Sequence, residues 1–382
     1  MTRQAFIEEV KSGEKSKSQL CNEYGISRVT GDKWLKRYKN GEGLDDRSKA
    51  PFHVANKTPV EKERRVLETR ESHPAWGPRK LRQFLINKGE IAVPSKSAIG
   101  NILKRNGYIS EAASKAATPY KRFQKERCNE MWQTDFKGHF GMKDGNRCYP
   151  LTVLDDYSRY SLCVDAKENE KRLGVTQSFK RLFEENGLPE SLLCDNGNPW
   201  GNSQATGYTQ FEVWLMEYDI LPIHGRIRHP QTQGKEERFH RTMDEELLKL
   251  VSIENMAHAQ ECFNTFRRCY NYERPHEAIG MKVPADIYHT SHRKKPEQIF
   301  QWEYPKEYKQ RKVKSTGYIT IGNQGYFLSE AFVDKTVALS ESTLENCINV
   351  SFRGFRIAKI NVAERVFISR RIYRIDSPAE TE

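Results

Sequence analysis

Three acidic residues stand where rigid elements of this chain are expected to end: Asp135, Asp195 and Glu237. Asp135 lies in Asn129-Glu130-Met131-Trp132-Gln133-Thr134-Asp135-Phe136, which reads as a strand carrying one acid. Asp195 closes the short apolar run Leu192-Leu193-Cys194 and is followed by Asn196-Gly197. From Lys235 to Leu250 the chain is rich in strong helix formers and free of Gly and Pro. A helix beginning near Gly234 therefore puts Glu237 in its first turn, where a carboxylate is electrostatically favoured. Glu236, about 100° further round that helix, is expected to face solvent. Taken singly, each acid is an ordinary surface carboxylate. Brought together from three elements, they form a set of hard oxygen donors for divalent cations.

The elements that must position these acids come late in the chain, behind a basic and helical first third. Of the net charge of +12, all lies in residues 1–130, which hold 28 Lys/Arg against 16 Asp/Glu; the remainder holds 35 of each. This asymmetry points to a polyanion gripped by an N-terminal module. Residues 1–45 read as three short helices with Phe6, Ile7, Val10, Leu20, Cys21, Trp34, Leu35 and Tyr38 facing in. Gly25 turns the chain and Ser27 caps the third helix, the helix-turn-helix pattern, with Arg28, Thr30, Lys33 and Arg37 presented to a DNA groove. A second such unit spans 58–108: helices at 59–72 and 78–88, and one capped by Ser95 that shows Lys96, Lys104 and Arg105 outward. Residues 109–128 form a basic linker, with Lys121 and Arg122 placed along a phosphate backbone.

The middle segment, 129–290, changes to strands. Expected are strands over 131–140, 147–154 and 159–165, the first two joined by an Asp144-Gly145 turn. A helix over 168–186 then turns Leu173, Val175, Phe179, Leu182 and Phe183 inward. It is followed by a strand at 191–194, a helix at 208–218, a strand at 220–223 and a helix near 256–272. Three antiparallel strands followed by alternating helix and strand describe an α/β layer with a mixed sheet. Asp155 and Asp156 are expected to stabilise a turn, whereas Trp200 could either pack or stack on a base. Residues 311–376 carry short β-rich runs, expected as a small separate β domain. No run of eighteen apolar residues occurs, so a helical membrane span is not expected, and the first ten residues hold no apolar h-region, so secretion is not expected. Eight scattered cysteines without a CxxC pair indicate neither a zinc ribbon nor a disulfide framework, and a cytoplasmic, nucleoid-associated protein is expected.

The segments Trp132-Gln133-Thr134-Asp135, Cys194-Asp195-Asn196-Gly197 and His229-Pro230-Gln231-Thr232-Gln233-Gly234-Lys235-Glu236-Glu237 resemble the DDE core of retroviral integrases and bacterial insertion-sequence transposases. Leu154-Asp155-Asp156-Tyr157-Ser158-Arg159 and Tyr270-Asn271-Tyr272-Glu273-Arg274-Pro275-His276 extend the likeness, and tandem helix-turn-helix units favour the bacterial branch. The resemblance implies an RNase H-like catalytic core with a mixed five-stranded sheet, behind an all-α helix-turn-helix region and ahead of a small all-β domain. It makes Asp135, Asp195 and Glu237 the catalytic triad and ligands of two Mg²⁺ ions, with Mn²⁺ as a substitute. The spacing of 41 residues between Asp195 and Glu237 is longer than the family's usual one, with the excess in 199–207. The family pattern of Gly, two residues, then Glu selects Glu237 over Glu236.

Two such ions roughly 3.5–4 Å apart neutralise both the entering and the leaving oxygen of a phosphodiester. The implied protein is a polynucleotidyl transferase: it binds the inverted repeats at the ends of its element and the target DNA, cleaves, and transfers strands. It would work as at least a dimer on paired ends and away from membranes. His229, Gln231, Gln233, Lys235, Arg238 and Arg241 would line the DNA path. The alternative is a sequence-specific DNA-binding regulator with an inactive core.

Overall fold

The computed structural model describes residues 2–46, 58–109, 124–197, 199–201, 207–225 and 234–375. Residues 1–57 form one compact unit and 58–382 another. In the first, α1 (Arg3–Ser12), α2 (Lys17–Glu23) and α3 (Arg28–Lys39) enclose Phe6, Ile7, Leu20 and Cys21, with Trp34 and Leu35 packed against them. Ser16 and Ser27 cap α2 and α3 as their side chains predict, and Gly25 takes the left-handed turn at φ 63°. Tyr38, expected inward, is exposed and lies under the Lys11 ammonium.

The second unit begins with α4 (Val60–Ser72), α5 (Pro78–Asn87) and α6 (Lys96–Arg105), closed over Val66, Trp76, Leu81, Leu85, Ile99, Ile102 and Leu103. The central sheet follows: β1 (Met131–Phe136), β2 (Phe140–Gly141), β3 (Arg147–Asp155), β4 (Ser161–Lys167), β5 (Ser191–Cys194) and β6 (Leu221–His224). Five strands run in the order β4-β3-β1-β5-β6, antiparallel on one side of β1 and parallel on the other; two-residue β2 pairs with the far end of β3. This is the mixed sheet of an RNase H-like core. The first strand stops at Phe136 rather than 140, because Gly138 turns at φ 87° and breaks the extended run.

α7 (Arg172–Asn186) and α8 (Gln210–Glu217) cover one face of the sheet, sharing a core of Trp132, Leu151, Val153, Phe179, Leu192 and Phe211. α9 (Gly234–Met243) and α10 (Met256–Tyr272) cover the other, around Leu154, Val164, Phe239, Phe263 and Tyr270. Leu173, expected inward, is 69% exposed: α7 starts only at Arg172, so Leu173 sits in its first turn on the outer side.

The C-terminal strands are β7 (Lys309–Lys312), β8 (Tyr318–Ile321), β9 (Gln324–Phe327), β10 (Thr336–Glu341), β11 (Cys347–Phe352), β12 (Phe355–Asn361), β13 (Val366–Ser369) and β14 (Tyr373–Arg374). They make a sheet ordered β13-β12-β11-β10-β7, with β14 beside β12, and a β8–β9 hairpin. This domain is not separate, as expected, but continuous in packing with α8. Tyr208, Val213 and Met216 enter its core, Ser329 Oγ donates to the Tyr208 carbonyl at 2.8 Å, and Arg374 pairs with Asp219 at 2.6 Å. Among the described residues, no helix is long and apolar enough to cross a membrane.

Candidate active site

Side chains alternate between the two faces of a strand. Trp132 and Phe136 point into the α7/α8 core, so Gln133 and Asp135 point to the α9 face. Asp135 is paired with Thr152 across the antiparallel β1–β3 ladder, and both lie on that face. β1 and β5 are parallel, with Trp132 beside Leu192 and Gln133 beside Leu193. Continued two residues, that register sets Asp135 beside Asp195 at the open end of two strands ~4.8 Å apart. Alternation again turns Asp195 to the α9 face, because Leu192 and Cys194 face the opposite core.

α9 packs on this face and carries Glu237, the third of the expected acids. Its buried residues are Glu236, Phe239 and Met243, a helical stripe, so Glu237 falls on the exposed edge. The expectation for Glu236 is thereby reversed: it is 1% exposed and packed inward, with Oε2 3.0 Å from Thr152 Oγ1. The sequence pattern misled because a position on the inward stripe is normally apolar. Thr152 Oγ1 also lies 3.0 Å from the Asp135 carbonyl oxygen and 2.9 Å from His240 Nε2. One hydroxyl carries one proton. All three contacts are satisfied if Glu236 is protonated and donates, His240 donates from Nε2, and Thr152 gives its own proton to the Asp135 carbonyl.

Burial favours the neutral form of Glu236. Burial, with the nearby Asp135 charge, pushes the Glu236 carboxyl well above the usual range, against the Thr152 hydrogen bond. Burial and the Lys137 charge lower His240 to about 4. Burial raises Asp135 to about 7, opposed by the Phe136 amide and reinforced by Asp195, Glu170 and Glu237. Asp135 thus feels the charge of both other acids. Asp195 and Glu237 are exposed. Among the described residues, no three His, Cys, Asp or Glu side chains stand close enough to hold one ion together. The donor set of Asp135, Asp195 and Glu237 is all carboxylate, which fits a hard cation.

Asp155 and Asp156 stabilise their turn. Asp155 accepts from the Asn129 and Ser158 amides at 2.7 and 2.8 Å, and Asp156 from the Lys125 amide and Gln133 Nε2 at 2.8 and 2.5 Å. Trp200 packs, 2% exposed, among Phe136, Phe179 and Phe211. Lys235, expected beside DNA, instead commits its ammonium to Asp156, because the first turn of α9 points it at that turn. Arg105 is likewise bound to Glu63 on α4, with Nε at 2.9 Å. Arg28 donates to Ser18, Arg37 to the Asp45 carbonyl at 3.2 Å, and Thr30 joins the Ser27 cap at 2.9 Å. Lys33, Lys96, Lys104, Arg238 and Arg241 are exposed. Lys121, Arg122, His229, Gln231 and Gln233 lie outside the described residues.

Sequence reasoning missed three polar groups, the buried Glu212 and the half-buried His224 and His240. His240 sits four residues after Glu236 on the same stripe, a spacing that could have revealed it. His224 and Glu212 adjoin Asp195, 2.9 Å and 3.0 Å along one chain of hydrogen bonds; no spacing in the sequence signals them.

Two family models described as Integrase core domain match residues 125–230 and 218–284. A Homeodomain-like domain matches 30–103 and a Helix-turn-helix domain 2–52. The chain is 25% identical over 159 residues to the insertion element IS407 uncharacterized 31.7 kDa protein of Burkholderia multivorans, covering 42% of this chain and 55% of that protein. To the insertion element IS476 uncharacterized 39.2 kDa protein of Xanthomonas euvesicatoria it is 25% identical over 227 residues, 58% of this chain and 63% of that one. The chain thus spans less than two thirds of the length of these relatives. The HTLV-2 integrase catalytic core domain in complex with magnesium is similar over 43% of this chain and 98% of its own, at 17% identity and a TM-score of 0.33, a likeness too slight to bear on the site.

Proposed function

We propose that this chain, a member of the integrase-core superfamily on the side of the bacterial insertion-sequence transposases, is a DNA transposase that cuts and joins the ends of its own element. The observation that supports this is the β1–β5 register, which ends with Gln133 beside Leu193 and, continued two residues, would set Asp135 beside Asp195 on the face covered by the helix of Glu237. Integrase-core and helix-turn-helix matches support a DNA substrate, as does the positive balance of residues 1–130. Asp135, Asp195 and Glu237 would hold two Mg²⁺ ions, or Mn²⁺ in their place. Bound there, the ions would supply charge neutralisation at a phosphodiester and an acidified water.

The protein's own share is positional. Thr152 fixes the main chain of Asp135 while burial holds that carboxyl near neutrality until a cation competes for it. The helix-turn-helix units would grip the end repeats, and paired ends require at least two copies. Water would attack in the nicking step and the freed 3′-OH in strand transfer. Asp135→Asn keeps size and shape but removes the negative charge. It is expected to abolish nicking of labelled end DNA while leaving the affinity in a gel shift nearly intact; nicking at the wild-type rate would refute the assignment.

A further inference from the structure

Asp195 combines an exposed carboxylate with a main-chain carbonyl that is tied to one imidazole. His224 ends β6, which pairs in parallel with β5 so that His224 lies beside Cys194. Its Nδ1 is 2.9 Å from the Asp195 carbonyl oxygen. A carbonyl only accepts, so Nδ1 carries a proton and donates it. Its Nε2 is 3.0 Å from Glu212 Oε1, and the Glu212 side chain is only 7% exposed. The other Glu212 oxygen closes the capping box of α8, accepting from the Thr209 amide at 2.6 Å and its hydroxyl at 2.9 Å. The imidazole therefore bridges the rigid start of α8 and the backbone at Asp195.

Gly201, after β5, lies directly against that ring. A Cβ on Gly201 would stand 2.8 Å from His224 Cε1 and 3.0 Å from Nδ1, so the loop closes over the imidazole only because residue 201 has no side chain. Asn196 Nδ2 adds a second tie, 2.8 Å to the Gly225 carbonyl. Nothing in the strand ladder requires this: β5 ends at Cys194, and the β1–β5 pairing stops at Leu193. Without His224 the carbonyl that follows the last strand residue would lose its donor.

We infer that His224, held by Glu212, is a positioning residue that fixes the main chain of Asp195 so that its exposed carboxylate is aimed at a divalent cation. The inference rests on the reading of Asp195 as a metal ligand. Partners behind a ligand commonly carry 10–100-fold in metal affinity, roughly, through orientation alone.

The test uses the full chain without DNA and measures Mn²⁺ binding by the loss of its free electron-spin signal, beside thermal melting. His224→Ala should weaken Mn²⁺ binding roughly tenfold. His224→Asn keeps a donor where Nδ1 stood but loses Glu212; it should return Mn²⁺ affinity to within about threefold of wild type while remaining thermally destabilised. Gly201→Ala, which leaves both partners chemically intact but displaces the ring, should weaken Mn²⁺ binding too, and it decides the matter if His224→Ala does not fold. Wild-type Mn²⁺ affinity in His224→Ala or in Gly201→Ala overturns the inference. So does equal weakening in the Ala and Asn variants in step with their melting temperatures, which marks a merely structural role. Asp195→Asn separates the two readings. Wild-type Mn²⁺ affinity in that variant removes the metal reading itself; lost binding there with intact binding in His224→Ala removes only the role of His224.

Discussion

Glu246 offers the sharpest test of how the second helical unit is held to the catalytic core. It lies in a π-helical turn, Asp244–Leu248, that continues the helix of Glu237, with the Lys249 amide bonded to the Asp244 carbonyl at 3.0 Å. The wider turn delivers one carboxylate to three donors. Trp76 Nε1 donates to it at 3.0 Å, Arg274 Nε at 2.9 and 3.1 Å, and Lys80 Nζ stands 3.9 Å away. Glu246 and Arg274 are 11% and 10% exposed, so water replaces little of what is lost. Burial and the Arg274 charge already lower Lys80 to about 8. A neutral donor contributes about 1 kcal/mol and a charge-assisted one about 1.5–3 kcal/mol. Glu246→Gln turns an N–H toward donors and leaves Arg274 and Lys80 facing each other, so the cost should be about 3 kcal/mol. Urea unfolding followed by tryptophan fluorescence measures it, and a cycle with Arg274→Gln should return a coupling of about 2 kcal/mol. A cost below about 0.5 kcal/mol, the level of a surface ion pair, would refute the buried-node reasoning.

Two further outcomes follow from burial. Glu236 has its carboxyl raised in the folded state, so the protein loses stability as pH climbs from the unfolded value of ~4.3 toward the folded one. Glu236→Gln removes that loss: its melting temperature should exceed wild type by several degrees at pH 8 and match it at pH 4, and an equal shift at both would contradict a protonated Glu236. In α3, a Cβ on Gly31 would come within 2.9 Å of Cys21 Sγ and 3.0 Å of Phe6 Cζ. Gly31→Val should cost about 2 kcal/mol through overpacking and weaken gel shifts with end DNA; unaltered melting and binding would show that the three helices do not need this close approach.

The parts of the fold that follow from local chemistry were legible in the sequence. α10 runs over the residues its apolar spacing predicts, and Ser27 and Ser95 cap the helices they were expected to cap. The acids were legible because strand ends and a helix start can be read from residue type. What depends on the partner of a face was not. α8 was read as an ordinary helix, yet its run of Phe211, Val213, Trp214, Leu215 and Met216 is apolar all round, the mark of a helix buried on two sides. That run was the available sign that the C-terminal sheet docks there. Glu236 was misread for the opposite reason: its burial rests on Thr152 and His240, which are brought to it by a strand pairing and a helix turn that no single segment discloses.

A fold selected for stability alone would place a valine where Glu236 stands. Instead Glu236 is buried beside a half-buried Asp135 whose charge it feels, and desolvation drives both toward the neutral form. One buried oxygen of Glu236 has no hydrogen-bond partner among the described residues. Each of these features costs stability. The proton count around Thr152 bears on this: a Glu236 that burial keeps from ionising leaves the single Thr152 proton to the Asp135 carbonyl. An ionised carboxylate at 236 would compete with the carbonyl for that proton. Thr152 therefore holds the main chain of Asp135 beside an acid that burial keeps from ionising. Where a structure keeps an arrangement this costly beside a set of carboxylates, the constraint it serves is position rather than folding.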